Sequence, residues 1–362
     1  MAQIIGSPSK YIQGNGEITR LYNYVSGISK KGAFAIVDGF VFENYTDDIN
    51  RSFEGENLPL TLARFNGECS KNEIDRLKKE MEKNDVDVVL GIGGGKTLDT
   101  AKAVAFYAGV PAIICPTLAS TDAPTSALSV VYTDDGQFEE YLMLPQNPAL
   151  VIVDTAIVAK APARFLVAGI GDALATYFES RAAVKSGATH MQNGLATNAA
   201  FVLSERCYEI LLEDGYKAKV AVEQGLVTKA VENIIEANTY LSGIGFESCG
   251  LAAAHAVHNA LTALEETHHF AHGEKVAFGT LVQLVLENAV EEEIDTVIDL
   301  CQQLGLPTCL ADLGVTAPDA KRLMEVAELA CADGDTMGNM PFPVVPADVY
   351  AAILVADKLG AH

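Results

Sequence analysis

The chain predicts an α/β domain followed by an all-helical one. Three observations carry that prediction. Short apolar, β-branched runs alternate with helical stretches through the first half, which argues for a parallel sheet covered on both faces. One of those runs passes straight into a glycine turn and a helix. Beyond Pro162 the helical period continues with no convincing strand. A chain of 362 residues with 49% hydrophobic content has material for two cores, and the boundary falls at 1–160 and 161–362.

In order, Gly16–Tyr24 reads as a short helix and Ala33–Val37 as a strand that stops at Asp38-Gly39. Asp48–Phe53 is the next helix, and Leu58–Phe65 is extended. Lys71–Asn84, with Ile74, Leu77 and Met81 on one face, is an amphipathic helix. Val86–Leu90 is a strand, Lys96–Tyr107 a helix and Pro111–Cys115 a buried strand. Leu128–Tyr132 and Glu140–Leu144 flank Asp134-Asp135-Gly136 as a β-hairpin, and Leu150–Val153 is a further strand ending in Asp. The second half reads as helices over Leu166–Ser186, Gly194–Glu213, Tyr216–Glu236, Gly250–Glu266, Glu274–Asn288, Glu291–Leu304, Asp319–Ala330 and Pro346–Leu359. No internal repeat or low-complexity linker is present.

Between Val86–Leu90 and the following helix lie Gly91, Gly93, Gly94 and Gly95. Glycines let the backbone approach an anion, and the free N–H groups of the helix start point at it. Neither of two familiar phosphate loops fits. A Walker loop needs Gly at the position of Leu90, and a dinucleotide fingerprint needs a third Gly at the position of Lys96.

Acidic residues outnumber basic ones 48 to 25, for a net charge of −23, which opposes nucleic acid and anionic membrane surfaces. The N-terminal residues lack a secretory pattern, and no apolar run is long enough to span a bilayer. Seven scattered cysteines without a C-x-x-C pair read as reduced core residues of a cytoplasmic protein.

Several residues are candidates for chemistry. Asp38 closes a strand, where a carboxylate accepts the hydroxyls of an adenosine ribose and repels a 2′-phosphate; the plain alternative is an Asp-Gly turn. The segment Pro116–Ser126 is dense in hydroxyls. Thr117, Ser120 and Ser126 are suited to phosphate, ribose or carboxamide, and Asp122 to a substrate hydroxyl; helix capping is the alternative. No Lys or Arg occurs between Lys102 and Lys160, so a neutral polyol fits this segment better than a phosphorylated or carboxylated substrate. Asp172 with two or three of the imidazoles of His255, His258 and His272 suits a hard-to-borderline divalent metal such as zinc, if the fold joins them. His258, one turn from His255, is a proton relay or a packed ring. Asp172 is alternatively a helix-start residue, and His268 and His269 resemble an exposed helix end.

Gly93-Gly94-Gly95-x-x-x-Asp99-x-x-Lys102, Gly169-Ile-Gly-Asp172, His255-Ala-Val-His258-Asn and Phe270-Ala-His272-Gly-Glu-Lys-Val together resemble the iron-type, or group III, alcohol dehydrogenases. The similarity runs nearly end to end, including Thr117-Leu-Ala-Ser-Thr-Asp-Ala-Pro and Met340-Pro-Phe-Pro. It implies the dehydroquinate synthase-like fold, a Rossmann-like domain plus a helical one. It implies zinc on Asp172, His255 and His272. It implies an NAD site at Asp38, Gly94, Gly95, Lys96, Thr117, Ser120, Ser126, Leu128 and Tyr132, and a substrate contact at Asp122. Members are commonly octamers or smaller oligomers. Iron-dependent relatives carry a His four residues after the Asp ligand; here that residue is Thr176, which favours the zinc-using glycerol branch. The expected reaction is reversible hydride transfer from glycerol to NAD, giving dihydroxyacetone. The rivals are a dehydrogenase of another small diol such as 1,2-propanediol, and a non-catalytic NAD- or metal-binding protein.

Overall fold

A computed structural model describes residues 1–361. Its strands are β1 (Lys10–Gly14), β2 (Ala33–Val37), β3 (Leu60–Arg64), β4 (Val88–Gly93), β5 (Ala112–Pro116), β6 (Leu128–Tyr132), β7 (Phe138–Met143) and β8 (Leu150–Asp154). Six of them form one parallel sheet in the order β1-β8-β5-β4-β2-β3, and β6 and β7 pair as a separate antiparallel hairpin. The interleaved helices are α1 (Leu21–Val25), α2 (Gly39–Asn44), α3 (Thr46–Phe53), α4 (Lys71–Met81), α5 (Gly95–Ala108) and α6 (Thr155–Lys160). The second half holds α7 (Ala163–Ser186), α8 (Asn198–Glu223), α9 (Lys229–Glu236), α10 (Ser242–Cys249), α11 (Ala253–Leu261), α12 (His272–Leu286), α13 (Glu291–Leu304), α14 (Ala320–Ala330) and α15 (Pro346–Gly360). No strand among the described residues follows β8. No helix among them is long and apolar enough to cross a membrane.

Strand alternation builds two cores. Ala33, Ala35 and Val37 of β2, with Val88, Leu90 and Ile92 of β4, face α1 and α3 through Leu21, Val25, Ile49 and Phe53. Phe34 and Ile36, with Val89, Ile114 and Val151, face the other way. That second core continues without a break into the helical half, through Phe178, Leu211 and Phe278. All five β2 residues and all six β4 residues are buried, as a strand covered on both faces requires.

The sheet order fixes where a ligand meets it. From β2 the chain moves outward to β3, then crosses to the other side of β2 and builds β4 and β5 in the opposite direction. The switch therefore lies between the carboxyl ends of β2 and β4, where Val37 pairs with Ile92. In open α/β sheets this crevice is the binding position.

Several elements differ from the sequence prediction. β1 was not expected; it is a partly exposed edge strand with Lys and Gln, paired with β8. β4 runs on to Gly93, so two glycines of the turn belong to the strand. Gly91 sits there because a β-carbon would come within 2.5 Å of Ala101 Cβ, blocking α5 from the sheet. The expected break at Asp214-Gly215 does not occur: α8 runs through it, with Gly215 turned toward Ile170, Leu300 and Leu304. α2 and α10 were also unexpected. Between α9 and α10 the backbone takes a π-helical turn over Ala237–Leu241.

Candidate active site

The crevice comes first. Asp38 follows β2 and caps α2, its Oδ1 accepting from the Val41 N–H at 2.8 Å. Its Oδ2 accepts from the Gly94 N–H at 3.1 Å, which ties the strand end to the glycine turn. Gly93 has φ 154°, and a β-carbon there would meet Asp38 Oδ2 at 2.5 Å, so only glycine fits. Gly94 and Gly95 face open space: a β-carbon at Gly95 meets nothing within 4 Å, and at Gly94 only Leu118 Cδ1 at 3.7 Å. The first amides of α5, a 14-residue helix, open on that space, so the cradle fits the pyrophosphate of a dinucleotide.

Around this cradle the Lys96 ammonium is paired with Glu68 at 2.6 Å and lies over the Tyr132 ring at 5.1 Å. Thr117 is tied to the cradle by its N–H, donated to Gly93 O at 3.0 Å. Ser120 and Leu128 are partly exposed along the same segment. Ser126 differs from them. It is fully buried and donates its hydroxyl to Ala123 O at 2.9 Å, a bond internal to the loop. Lys102, also buried, locks that loop by donating to Ala123 O and Leu128 O at 2.7 and 2.8 Å.

The loop 117–126 leads from the cradle into the helical half. There the Asp122 N–H donates to Asp172 Oδ2 at 3.3 Å, and Asp122 Oδ2 accepts the Ser242 hydroxyl at 2.7 Å. Thr176 Oγ1 lies 2.7 Å from Ser242 Oγ, so the residue in the fourth-ligand position of iron-using relatives is here part of a hydroxyl chain to Asp122. Asp172 is not a helix-start residue. It is the tenth residue of α7, fully buried.

Asp172, His255 and His272 do come together, each offering an atom within 4.8 Å of the others. His255 Nε2 is 3.4 Å and His272 Nε2 3.1 Å from Asp172 Oδ1. That Oδ1 is buried and has no hydrogen-bond partner among the described residues. A buried carboxylate oxygen left unmatched costs on the order of 1–3 kcal/mol or more. Its environment is completed by a cation placed between it and the two imidazole nitrogens, a donor set that suits zinc or another borderline divalent metal. Burial works to raise the Asp172 carboxyl, but the flanking His272 and His255 outweigh it and hold the group well below the usual range. Burial, reinforced by the Asp172 charge, pushes Asp122 well above that range.

Glycine makes this convergence possible. A β-carbon on Gly171 or Gly273 would collide with the facing backbone, Gly171 with Gly273 O and Gly273 with Ala168 O. Their absence lets the first turn of α12, which carries His272, lie on α7. Gly169 likewise admits the Ala119 carbonyl and the Asn238 amide. Asn238, in the π-helical turn, donates to Ala119 O at 2.9 Å and Leu166 O at 3.0 Å, fastening the loop to α7.

His258 lies beside the donor set rather than in it. Its ring centroid is 4.1 Å from that of His272, and its Nδ1 pairs with Asn259 Oδ1 at 3.1 Å. Burial and the adjacent His272 push its imidazole well below the ordinary value, so it is held neutral. His268 and His269 are exposed, as expected.

Sequence reasoning missed Glu179, Asn238, Ser242 and Glu247. Glu247 is buried and accepts the Ala127 N–H at 2.7 Å and the Asn147 amide at 2.5 Å. The signal for Glu179 was its place seven residues after Asp172, on the same face of α7 as Thr176.

A glycine cradle at the sheet's switch point, joined by one loop to a buried carboxylate–imidazole cluster in a helical half, is the arrangement of a dehydrogenase. The comparisons agree. Residues 8–155 match the model of the iron-containing alcohol dehydrogenases. The chain is 57% identical to a glycerol dehydrogenase of Escherichia coli O6:H1 over 99% of its own length and 98% of that protein's. It is 56% identical to a glycerol dehydrogenase of Pseudomonas putida over 100% and 99% of the two chains. The crystal structure of glycerol dehydrogenase from Schizosaccharomyces pombe superposes with a TM-score of 0.95 at 40% identity, covering 99% of this chain and 91% of that one. The chain belongs to the iron-containing alcohol dehydrogenase family, and its full-length relatives at 50–57% identity include glycerol dehydrogenases.

Proposed function

We propose that the protein catalyses the reversible NAD-linked oxidation of glycerol to dihydroxyacetone, with zinc held by Asp172, His255 and His272. The observation that carries this reading is the unmatched Asp172 Oδ1 facing two imidazole Nε2 atoms at 3.1 and 3.4 Å. When bound, the metal supplies Lewis acidity toward an alcohol hydroxyl, and NAD supplies the hydride acceptor.

The chain's own residues do the rest. Gly94 and Gly95 admit the pyrophosphate, and Asp38 takes the adenosine ribose and disfavours a 2′-phosphate. Lys96, Thr117, Ser120, Leu128 and Tyr132 line the cofactor's path. Ser126 acts from behind, by shaping the loop. Asp122 binds a second substrate hydroxyl through the oxygen that does not accept from Ser242. The absence of any Lys or Arg from 103 to 159 keeps the pocket suited to a neutral polyol. His258, buried and neutral, holds the ring of His272. The halves 1–160 and 161–362 act as a cofactor domain and a metal domain, and the protein works as a cytoplasmic homo-oligomer. All seven cysteines are free thiols, which suits that compartment.

The test is an NAD-reduction assay across glycerol, 1,2-propanediol and 2,3-butanediol, with metal analysis before and after chelation. The expected outcome is highest kcat/KM with glycerol, near one zinc per chain, and loss of activity on chelation that added zinc restores. Full activity after confirmed metal removal would overturn the mechanism. A higher kcat/KM for another diol would reassign the substrate.

A further inference from the structure

Glu179 is a fully buried carboxylate on α7 whose contacts divide cleanly between its two oxygens. Oε1 accepts the backbone N–H groups of Ala252 and His255, at 2.8 and 2.9 Å. These are amides at the start of α11, a helix whose capping residue, Ala252, has no side chain able to cap it. Oε2 lies 2.6 Å from His255 Nδ1. The other nitrogen of the same ring, Nε2, is the one that faces Asp172.

We infer that Glu179 is the positioning residue of the metal site: it holds the His255 proton on Nδ1 and so keeps Nε2 an unprotonated lone pair aimed at the cation. The inference rests on the metal reading above and concerns what makes that site competent. A carboxylate is only an acceptor, so the ring nitrogen facing it carries hydrogen. In a neutral imidazole the other nitrogen is then the acceptor, the form a metal requires. The same carboxylate fixes the ring's direction by gripping the helix that carries it. Glu179 thus sets both the tautomer and the place of His255, without touching metal or substrate. Among the described residues, no other side chain is bonded to His255 Nδ1.

The division of labour between the two oxygens supplies a clean variant. In Glu179→Gln the amide oxygen replaces Oε1 and keeps both backbone bonds. The amide NH2 replaces Oε2 and donates to Nδ1, which moves the ring proton to Nε2, where it points at Asp172 and must be expelled before a cation binds. The backbone support stays while the tautomer reverses.

The experiment is a zinc titration of chelator-stripped protein against a chromophoric competitor, run on wild type, Glu179→Gln and His255→Ala, with circular dichroism on each. Wild type is expected to bind one zinc tightly, His255→Ala to lose that binding, and Glu179→Gln to bind roughly 10–100-fold more weakly with an unchanged helical spectrum. Affinity in Glu179→Gln equal to wild type, while His255→Ala is impaired, overturns the role of Glu179 and leaves the metal site standing. Equal affinity in His255→Ala overturns the metal site itself. Should Glu179→Gln fail to fold, 15N-histidine NMR of zinc-loaded wild type decides, with the His255 signals assigned by their loss in His255→Gln. A protonated Nδ1 with zinc on Nε2 supports the inference, and the reverse arrangement overturns it.

Discussion

Two glycine clusters stand in this chain, and they do opposite work. Gly94 and Gly95 leave empty space beside the first turn of α5. Gly171 and Gly273 leave none: their missing β-carbons are filled by the backbone of the neighbouring helix. The first pair makes room for a ligand and the second makes room for the protein itself. In sequence the two look alike. The difference teaches that a glycine is a binding signal only where the position a side chain would take opens on solvent.

Substitution by alanine separates the two kinds. The largest effect is expected at Gly273→Ala, where the new methyl meets Ala168 O and would lie 2.8 Å from the Asp172 N–H nitrogen. α12 must move off α7, costing about 1–3 kcal/mol of stability by overpacking and carrying His272 away from Asp172. Denaturant unfolding and zinc content should fall together. A variant with wild-type stability and metal content would show that the helices have slack there. Gly95→Ala is expected to do the reverse. Its methyl meets nothing within 4 Å and the position is helical, so stability should hold or rise by roughly 0.5–1 kcal/mol. The cost appears in the cofactor: the KM for NAD should rise about tenfold, worth roughly 1.4 kcal/mol of binding, with kcat largely kept. An unchanged KM for NAD would place the pyrophosphate elsewhere.

The same contrast explains what the sequence disclosed. The sheet half was legible because Ala33–Val37 and Leu150–Val153 are continuous apolar runs, buried on both faces and ended by Asp. β1 escaped because an edge strand of Lys, Tyr and Gln has no apolar run to show. In the helical half the elements were mostly legible and their boundaries less so. Gly215 looks like a stop, yet it lies within α8, where it packs toward Ile170 and Leu300. Ser242–Cys249, with glycines at 243 and 245, looks like a loop, yet it is a helix pressed against Thr125 and Thr176. Asp172, His255 and His272 were suggested by residue type and resemblance, but only the fold brings them together across so many residues. Glu179 gave only the sign of its spacing from Asp172, which is weak because a glutamate in a long helix usually faces water; here burial gives it its work.

The smallest expected change in cofactor use lies between two aspartates at the carboxyl ends of parallel strands. Asp154 is the last residue of β8 and Asp38 the residue after β2, and each caps the next helix. Asp154 is buried, and its oxygens accept from the N–H groups of Gly16, Ile18 and Ala156 at 3.2, 3.0 and 3.0 Å. Among the described residues Asp38 accepts from Val41 and Gly94 only, and it is partly exposed in the switch crevice. One carboxylate is spent on the fold, while the other keeps lone pairs for a ligand. Asp154→Ala should therefore cost about 1–3 kcal/mol of stability through its stranded amides and leave the ratio of NAD to NADP use unchanged. Asp38→Ala should cost about 1 kcal/mol as a lost cap, yet narrow the preference for NAD over NADP several-fold, because the charge that repels a 2′-phosphate is gone. Parallel kcat/KM measurements with both cofactors check the pair. If Asp38→Ala loses stability and keeps its cofactor ratio, Asp38 is a cap of the same kind as Asp154, and the crevice selects its nucleotide by other means.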